Sequence, residues 1–447
     1  MRDLPASGRR FDALLAAAQR AGRLPSMTAG LVRAPSTGSA QAAGLAWVGR
    51  AGDVVGERTG EPADTQYRIG SITKTFTSVL VLQARDEGLL ALDEPLASYL
   101  PEAPYGDRPL RAMLSHSAGI PGEPVGPWWE RSTGGDFAAL VEANRDQPAR
   151  YEVDTDHVYS NLAFGLLGEA VARVRGEDWW SLVRSRILDP LGMGRTTYQA
   201  TPPHAQGYSV SHLLGTLTPE PHSDTGAMAP AGQMWSTVTD LATYADFVLH
   251  GHDDVLALPT LQEAAVERHP GSQYGLGFRT LPGARGPLVG HTGTMPGFMA
   301  VLLCERATGT AFVGFTNATV GLLSVPLATS MLDALAESDP EVGEPWWPTT
   351  DVPDEVRELV GVWHWGETAF EVSWDSGELR MLELRAQAAY EEYHREDRGW
   401  VGTDGTLLEV VRGSDGAVSH LLSETYLFTR TPYDPSAPIP GGPPEHA

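Results

Sequence analysis

A serine and a lysine stand three residues apart at the predicted start of a helix, where residues 68–76 read Arg-Ile-Gly-Ser-Ile-Thr-Lys-Thr-Phe. Lys74 is the only lysine among 32 basic residues, so the chain uses arginine wherever a generic cation is sufficient. Arginine stays protonated at any working pH, whereas the pKa of a desolvated lysine can fall to near neutrality. Residues i and i+3 share a helix face. We therefore expect Ser71 to be a nucleophile and Lys74 to accept its proton.

Alternating apolar residues and turn signals predict strands on both sides of a long helical region. Both chain ends are expected to complete one antiparallel sheet, and a closing helix is expected over 323–335. The helix-rich insert is predicted over 89–249. Strands are predicted over 27–32, 44–48, 54–58, 288–292, 297–305 and 310–317. This order predicts an α/β fold, an antiparallel sheet flanked by helices with a large helical insert.

The C-terminal quarter has a different pattern, in which short alternating segments follow each other at regular spacing. This spacing is typical of a small antiparallel β-barrel. Seven such strands are predicted, over 359–365, 369–374, 378–384, 387–393, 406–412, 418–422 and 426–431. We therefore expect a first domain with the Ser71 segment over 1–340, a linker over 341–355 and a β domain over 356–447.

Composition excludes several classes of function. The formal net charge of −25 argues against nucleic acid and anionic membranes as partners, because phosphate groups require a basic surface. No apolar run reaches the roughly 20 residues of a membrane span, and no signal peptide is evident, so we expect a cytoplasmic protein. The histidines lack ligand spacing, so we expect no metal and no cofactor.

Two later segments supply the other groups that a serine–lysine pair needs. Tyr159 and Asn161 are predicted in a loop just before a helix. His291 lies in the segment Gly-His-Thr-Gly-Thr over 290–294, on a predicted strand where glycine allows a ligand to approach the backbone. Each segment alone is a weak signal, since an interface tyrosine or a core histidine would look the same. Their combination in this order is much more specific.

Together these motifs resemble the serine β-lactamase and penicillin-binding-protein superfamily. The resemblance is strongest to its branch of class C-like esterases, D-aminopeptidases and penicillin-binding-protein-type thioesterases. It covers residues 10–337, and the region after residue 350 is similar to the lipocalin-like C-terminal domains of some members. Supporting segments are Leu-Ser-His-Ser-Ala-Gly-Ile at 114–120, Pro-Leu-Gly-Met at 190–193 and Ser-Thr-Val-Thr-Asp-Leu at 236–241.

The resemblance implies a role for each motif residue. Ser71 would be the nucleophile and Lys74 its general base, while Tyr159 would pass the proton to the leaving group and activate the incoming nucleophile. Asn161 would hydrogen-bond Lys74 and the substrate amide. His291 would stand near Tyr159.

The remaining site residues are expected to contact the substrate. The backbone N–H groups of Ser71 and Thr294 would form the oxyanion hole. Substrate-binding residues are expected to be Thr292, Gly293, Trp128, Trp235 and Phe298, although the three aromatic residues fit ordinary core or lid positions equally well. His116 is expected to be structural, packed under the active-site helix.

His291 departs from the family pattern, because penicillin-processing members usually carry lysine at this position. Histidine, with an ordinary pKa of about 6.5, is mostly neutral at neutral pH. On this ground we expect neutral esters, thioesters or amides as substrates, and a β-lactamase or DD-peptidase is disfavoured.

Two functions stay open at this point. The first is a serine hydrolase acting on ester or amide bonds, including those of peptides with D-residues. The second is a stand-alone thioesterase that releases and macrocyclises a nonribosomal peptide, with a peptidyl carrier protein as its partner. The serine, lysine and tyrosine chemistry is common to both. A catalytically inactive binding protein is a third reading, but Ser71, Lys74 and Tyr159 are all present.

Overall fold

A computed structural model of the protein describes residues 5–33, 44–53, 60–335, 348–349, 352–375, 377–385 and 388–432. The chain divides into two compact units. The first is formed by Met1–Ser209 and Pro219–Trp347, and the second by Val210–Thr218 and Pro348–Ala447. The predicted strand over 54–58, much of the predicted linker over 341–355 and the tail after residue 434 lie outside the described residues.

The first part of the chain contains ten strands and eleven α-helices among its described residues. The strands are β1 (Ser26–Arg33), β2 (Gly44–Gly52), β3 (Tyr67–Arg68), β4 (Tyr208–Ser211), β5 (Thr216–Pro219), β6 (Trp235–Ser236), β7 (Arg279–Leu281), β8 (Leu288–Met295), β9 (Phe298–Glu305) and β10 (Thr310–Thr316). The helices are α1 (Pro5–Gly22), α2 (Thr73–Asp86), α3 (Leu110–Leu114), α4 (Phe137–Asn144), α5 (Asn161–Arg175), α6 (Trp179–Val183), α7 (Asp189–Leu191), α8 (Ala229–Gly232), α9 (Val238–His250), α10 (Leu258–Ala264) and α11 (Ser324–Ala334).

Six of these strands form one antiparallel sheet in the order β2-β1-β10-β9-β8-β7. The N-terminal strand β1 pairs with β10 from residue Met27 opposite Thr316 to Arg33 opposite Thr310, so both ends of this unit complete the sheet. Helices α1 and α11 pack on each other and on the sheet, and α9 packs on β1, β9 and β10. The predicted sheet, its flanking helices and its helical insert are confirmed.

Helix α2 is buried on all sides for most of its length. Residues 73–84 are all buried, including Thr77 and Ser78. Their hydroxyls donate to the carbonyls of Pro230 and Leu276, 2.9 and 2.5 Å away, which removes the cost of burying them. Helix α2 therefore runs through the centre of the unit and fixes the position of the turn that precedes it, Gly70–Ile72.

The second unit contains a closed antiparallel barrel of eight strands, which confirms the predicted β-barrel. A short helix, α12 (Asp354–Leu359), precedes it. The strands of the barrel are β11 (Gly361–Trp365), β12 (Thr368–Asp375), β13 (Glu378–Glu383), β14 (Ala388–Glu396), β15 (Gly399–Gly402), β16 (Leu407–Arg412), β17 (Val418–Ser423) and β18 (Tyr426–Thr429). Strand β15 was not predicted. Large apolar side chains fill the barrel, with Trp363 fully buried among them.

Candidate active site

Ser71 lies in a single turn of 3-10 helix, Gly70–Ile72, that leads directly into α2. The sequence predicted that Ser71 would open the α-helix itself, so the helix begins two residues later than expected. Gly70 has a φ of +53°, and a Cβ there would approach the backbone nitrogen of Thr294 to 2.6 Å. Only glycine can both adopt this positive φ and leave room for the Thr294 nitrogen. The turn is thereby pressed against strand β8.

Strand β8 makes the matching approach from its own side. A Cβ on Gly293 would overlap the carbonyl oxygen of Ile69 and lie 3.1 Å from the Ser71 nitrogen. Because Gly293 has no side chain, β8 can approach the turn that carries Ser71. The Thr294 nitrogen lies beside Gly70, next to Ser71 in the chain. That the N–H groups of Ser71 and Thr294 form an oxyanion hole stays a prediction.

Lys74 is fully buried and its Nζ has three hydrogen-bond partners. It lies 2.9 Å from Ser71 Oγ, 2.7 Å from Asn161 Oδ1 and 2.7 Å from the Ala231 carbonyl oxygen. Burial lowers the pKa of Lys74 to about 7, partly offset by the carboxylates of Glu123 and Glu130. A neutral amine has two hydrogens. Because the amide and carbonyl oxygens can only accept, they take both hydrogens and leave the amine lone pair facing the Ser71 hydroxyl.

Asn161 is oriented by a carboxylate on its other side. Its Nδ2 donates to Glu123 Oε1 at 2.7 Å, and Glu123 Oε2 accepts from Trp129 Nε1 at 2.6 Å. This pairing leaves the Asn161 oxygen facing Lys74. Asn161 opens α5, and the side chain of Ser160 caps that helix by accepting from the Ala163 N–H. The cap explains why Asn161 has a fixed position.

Tyr159 lies across the same pair of residues. Lys74 Nζ is 5.0 Å from its ring centroid, and its hydroxyl lies close enough to the Ser71 side chain to interact with it. Burial of the hydroxyl raises the pKa of Tyr159 well above its ordinary value, and the interaction with Ser71 only partly offsets this. The residue as a whole is 38% exposed, so one edge of the ring remains accessible. Tyr159 is a neutral phenol that touches the candidate nucleophile.

His291 lies on β8 with its ring centroid 6.2 Å from that of Tyr159. Its Nδ1 faces the Thr292 carbonyl oxygen, which can only accept, so Nδ1 carries the hydrogen. Its Nε2 therefore accepts from the Tyr274 hydroxyl, 2.8 Å away. Burial, together with the nearby charge of Lys74, lowers the pKa of His291 to about 3. His291 is thus a neutral imidazole in which both ring nitrogens form hydrogen bonds.

A permanent cation stands close to His291. Arg279 on β7 pairs with Gly290, and its Nη1 donates to Thr292 Oγ1 at 3.0 Å. Arg279 brings a permanent charge to the cavity that His291 also lines, so a neutral residue 291 does not by itself decide the charge of the substrate, and the preference for neutral substrates stays a prediction. That cavity has a volume of about 460 Å³. It is lined by Ser71, Glu123, Glu130, His157, Tyr159, Asn161, Ser272, Tyr274, Arg279, His291, Thr292 and Thr294.

Sequence comparison gives the family of this arrangement. The profile of the family described as Beta-lactamase matches residues 11–336. The chain belongs to the Beta-lactamase family. Family members are serine hydrolases, and Ser71, Lys74 and Tyr159 meet within the matched region. A second profile, a domain of unknown function (DUF7586), matches residues 352–430, the region of the barrel.

Known relatives agree with this membership. "Beta-lactamase-like protein 2" of Dictyostelium discoideum is 30% identical over 232 residues, 45% of this chain and 39% of that protein. The chain spans less than two thirds of the curated relatives that it matches first. The octameric penicillin-binding protein homologue from Pyrococcus abyssi has a TM-score of 0.64 at 20% identity, covering 94% of this chain and 99% of that one. A D-stereospecific amidohydrolase from Streptomyces sp. has a TM-score of 0.57 at 26% identity, covering 72% and 98%.

Three aromatic residues predicted to bind substrate lie elsewhere in this Beta-lactamase-family fold. Trp235 and Phe298 are 1% and 0% exposed and pack edge to face in the core, so that prediction is wrong for them. Trp128 is 61% exposed and stacks on Arg131, 4.2 Å from ring centroid to guanidinium carbon. It is not among the described residues that line the cavity, although its Nε1 donates to Glu130. Apolar character alone gave no means of separating core from pocket.

Sequence reasoning missed six residues that the structure brings to the cavity. They are Glu123, Glu130, His157, Ser272, Tyr274 and Arg279. The two glutamates follow the segment at 114–120 in a loop without regular periodicity. Arg279 reaches the site only because β7 pairs with β8, a contact that no local pattern reveals.

The described residues contain no cluster of three or more His, Cys, Asp or Glu side chains that could hold a metal ion. Across the portion of the chain that the structure describes, no helix combines the length and apolarity that crossing a bilayer requires.

Proposed function

We propose that the protein hydrolyses amide or ester bonds of short peptides through an acyl-enzyme on Ser71, with D-residues at the acyl position. The observation that carries the proposal is the hydrogen bonding of Lys74, whose two acceptor partners leave a neutral amine lone pair for the Ser71 proton. A lysine with a pKa of about 7 matches the operating pH expected of a general base.

Acylation then follows from these positions. Lys74 takes the proton from Ser71 as Oγ attacks the carbonyl carbon, and the N–H groups of Ser71 and Thr294 would stabilise the oxyanion. The Lys74 ammonium returns the proton through the Tyr159 hydroxyl to the leaving nitrogen or oxygen, whose bond to the carbonyl carbon breaks. In deacylation, water attacks the acyl carbonyl carbon and gives up a proton along the same route in reverse, through Tyr159 to Lys74. The bond to Ser71 Oγ then breaks, Ser71 regains its proton, and the acid is released.

The charges of the cavity support a substrate with two charged groups. Arg279, fixed by Thr292, suits a carboxylate. Glu123 and Glu130 line the same cavity, and neither forms an ion pair with a basic side chain in the described part of the chain. Burial raises the pKa of Glu130, and the neighbouring Glu123 raises it further. A substrate ammonium would relieve this repulsion between carboxylates.

The D-residue part of the proposal comes from a relative. The D-stereospecific amidohydrolase from Streptomyces sp. is 26% identical to this chain and covers 72% of it. A free dipeptide with a D-residue at its amino end has the ammonium and the carboxylate that the cavity can pair.

Intact-mass spectrometry with four matched substrates tests this proposal. The substrates are a D-aminoacyl dipeptide, its N-acetyl form, its C-terminal amide and its L counterpart. We expect turnover and a Ser71 adduct with the first, and at least about tenfold lower kcat/KM with each of the others. Equal turnover of all four would refute the substrate class while leaving Ser71 chemistry in place.

A second arm addresses the acyl acceptor. A peptidyl thioester ending in a D-residue is supplied with and without an added amine. Hydrolysis in both cases supports the proposal. A cyclic or aminolysed product formed in preference to the acid would replace it with the peptide-releasing thioesterase.

A further inference from the structure

We propose that His116 is a positioning residue for Tyr159, holding the backbone on both sides of the phenol so that its hydroxyl reaches Ser71. This inference rests on the acyl-enzyme chemistry proposed above. His116 was expected to be structural, and the structure packs its ring against those of His157, Tyr159, Phe164 and Tyr274.

The main chain on either side of Tyr159 is bound to His116. The Val158 N–H donates to the His116 carbonyl oxygen at 2.8 Å. The Ser160 N–H donates to His116 Nδ1 at 3.0 Å. One residue therefore accepts from the amide before Tyr159 and from the amide after it, which fixes the direction in which the phenol leaves the backbone.

The imidazole also supports the phenol ring. Its centroid is 4.2 Å from that of Tyr159 and 4.5 Å from that of Tyr274, and His116 is only 1% exposed. Tyr274 in turn donates to His291. The His116 ring thus packs between the phenol that touches Ser71 and the phenol that holds His291.

His116 occupies this position at a cost to stability. Its φ is +60°, a left-handed conformation that histidine adopts less readily than glycine or asparagine. Because Nδ1 accepts, Nε2 carries the hydrogen, and that buried group has no hydrogen-bond partner among the described atoms. Burial lowers the pKa of His116, so the ring stays neutral and keeps the lone pair that Ser160 needs. Strained and unpaired groups of this kind concentrate at functional sites.

The choice of leaving group provides a selective readout of Tyr159 placement. An amide nitrogen must be protonated as it leaves, whereas a p-nitrophenolate leaves without a proton. Misplacing the Tyr159 hydroxyl should therefore lower kcat/KM, which reports acylation and not deacylation, much more for an amide than for an aryl ester. A purely structural defect would lower both in proportion to the folded fraction.

Two substitutions isolate the acceptor at position 116. Glycine and asparagine both accommodate the positive φ and both lack the ring, but only asparagine has an oxygen near the position of Nδ1. We expect His116→Gly to lower the amide-to-aryl-ester ratio of kcat/KM by about 100-fold, since a misplacement of about 1 Å can cost this much. His116→Asn should keep the ratio within about threefold of wild type.

A double-mutant cycle with Tyr159→Phe ties the effect to the phenol. If His116 acts through Tyr159, His116→Gly should leave the ratio unchanged in the Tyr159→Phe background. A fall of equal size in that background would overturn the proposal, and so would an equal loss of both activities in the single variant.

If His116→Gly does not fold, His116→Asn decides alone, because a fall in its ratio of about tenfold or more overturns the acceptor role. If only the role of His116 is wrong, wild type still shows Ser71-dependent turnover of the amide, whereas failure of the acyl-enzyme chemistry removes that turnover.

Discussion

At the scale of single residues, the proposed chemistry depends on one amine whose pKa is lowered to about 7. Lys74 is fully buried, and the two oxygens that can only accept determine where its lone pair points. The lone lysine of the sequence predicted this residue correctly as the partner of Ser71, because the i, i+3 spacing is local. Its pKa of about 7 could not be predicted, since it depends on burial by distant segments.

Replacing Lys74 tests whether a proton acceptor is needed or only a positive charge. We expect Lys74→Arg to be nearly as damaging as Lys74→Ala, with acylation rates about 10²–10⁴-fold below wild type, because arginine does not release its proton. The rate of Ser71 labelling by a serine-directed phosphonate measures this. Activity in Lys74→Arg within about tenfold of wild type would exclude Lys74 as the base.

Arg279 should determine the response to a substrate carboxylate. Arg279→Met is expected to lower kcat/KM for a carboxylate-terminated peptide by about 10–100-fold, the value of a hydrogen bond to a charged group, and to leave its C-terminal amide unaffected. Arg285→Met is the matched control, since Arg285 pairs with Glu305 and Asp333 and does not line the cavity. Equal effects of Arg279→Met on both substrates would mean that Arg279 supports the strand rather than the substrate.

At the scale of secondary-structure elements, the site exists because strand β8 and the turn before α2 approach each other without side chains between them. The sequence identified both elements, since the glycines at 70, 290 and 293 interrupt apolar runs. Helices α5 and α9 begin directly after Ser160 and Thr237, whose side chains cap them, and caps of this kind are a local signal that sequence carries. Sequence reasoning missed β15 and the hairpin of β4 and β5, since strands of four residues carry too little alternation to stand out.

A methyl group at position 293 should therefore disable the site with limited effect on the fold. Gly293→Ala has to displace β8 from the Ile69 carbonyl, so we expect acylation at least about 100-fold slower than in wild type. Gly44→Ala on β2 is the control, because a Cβ there meets no atom within 4 Å. Phosphonate labelling and thermal unfolding of both variants make the comparison. Wild-type labelling in Gly293→Ala would show that the close approach is unnecessary.

At the scale of the whole molecule, the chain consists of two units, each with its own core. The apolar cluster around α2 and α9 belongs to the first, and the cluster around Trp363 belongs to the second. The barrel was predictable as a class because its strands recur at regular spacing. Sequence could not predict that Val210–Thr218 belongs to the second unit. This depends on contacts between distant residues, such as the hydrogen bond from the Trp374 N–H to the Leu213 carbonyl oxygen, 161 residues earlier in the chain.

Separate cores predict that the barrel can be destabilised without loss of Ser71 chemistry. Trp363→Ala removes a fully buried indole and should lower the free energy of unfolding of the second unit by about 3–5 kcal/mol. Trp365→Ala on the same strand is the control, since Trp365 is 45% exposed. Amide hydrogen exchange read by mass spectrometry should locate the loss in 352–430, with phosphonate labelling of Ser71 unchanged. Faster exchange throughout 60–335 would mean that the two cores are one cooperative unit.

The most direct test of the account is the pH dependence of Ser71 acylation, followed by intact mass and peptide mapping. The account predicts a single adduct on Ser71, absent in Ser71→Ala. Its rate should fall about tenfold per pH unit below a pH of about 7, where Lys74 gains a proton, and level off above it. No descending limb should come from Tyr159 near neutral pH, because burial raises its pKa. An adduct on another residue, or a Ser71 rate that is flat from pH 5 to 9, would contradict the proposal that neutral Lys74 activates Ser71.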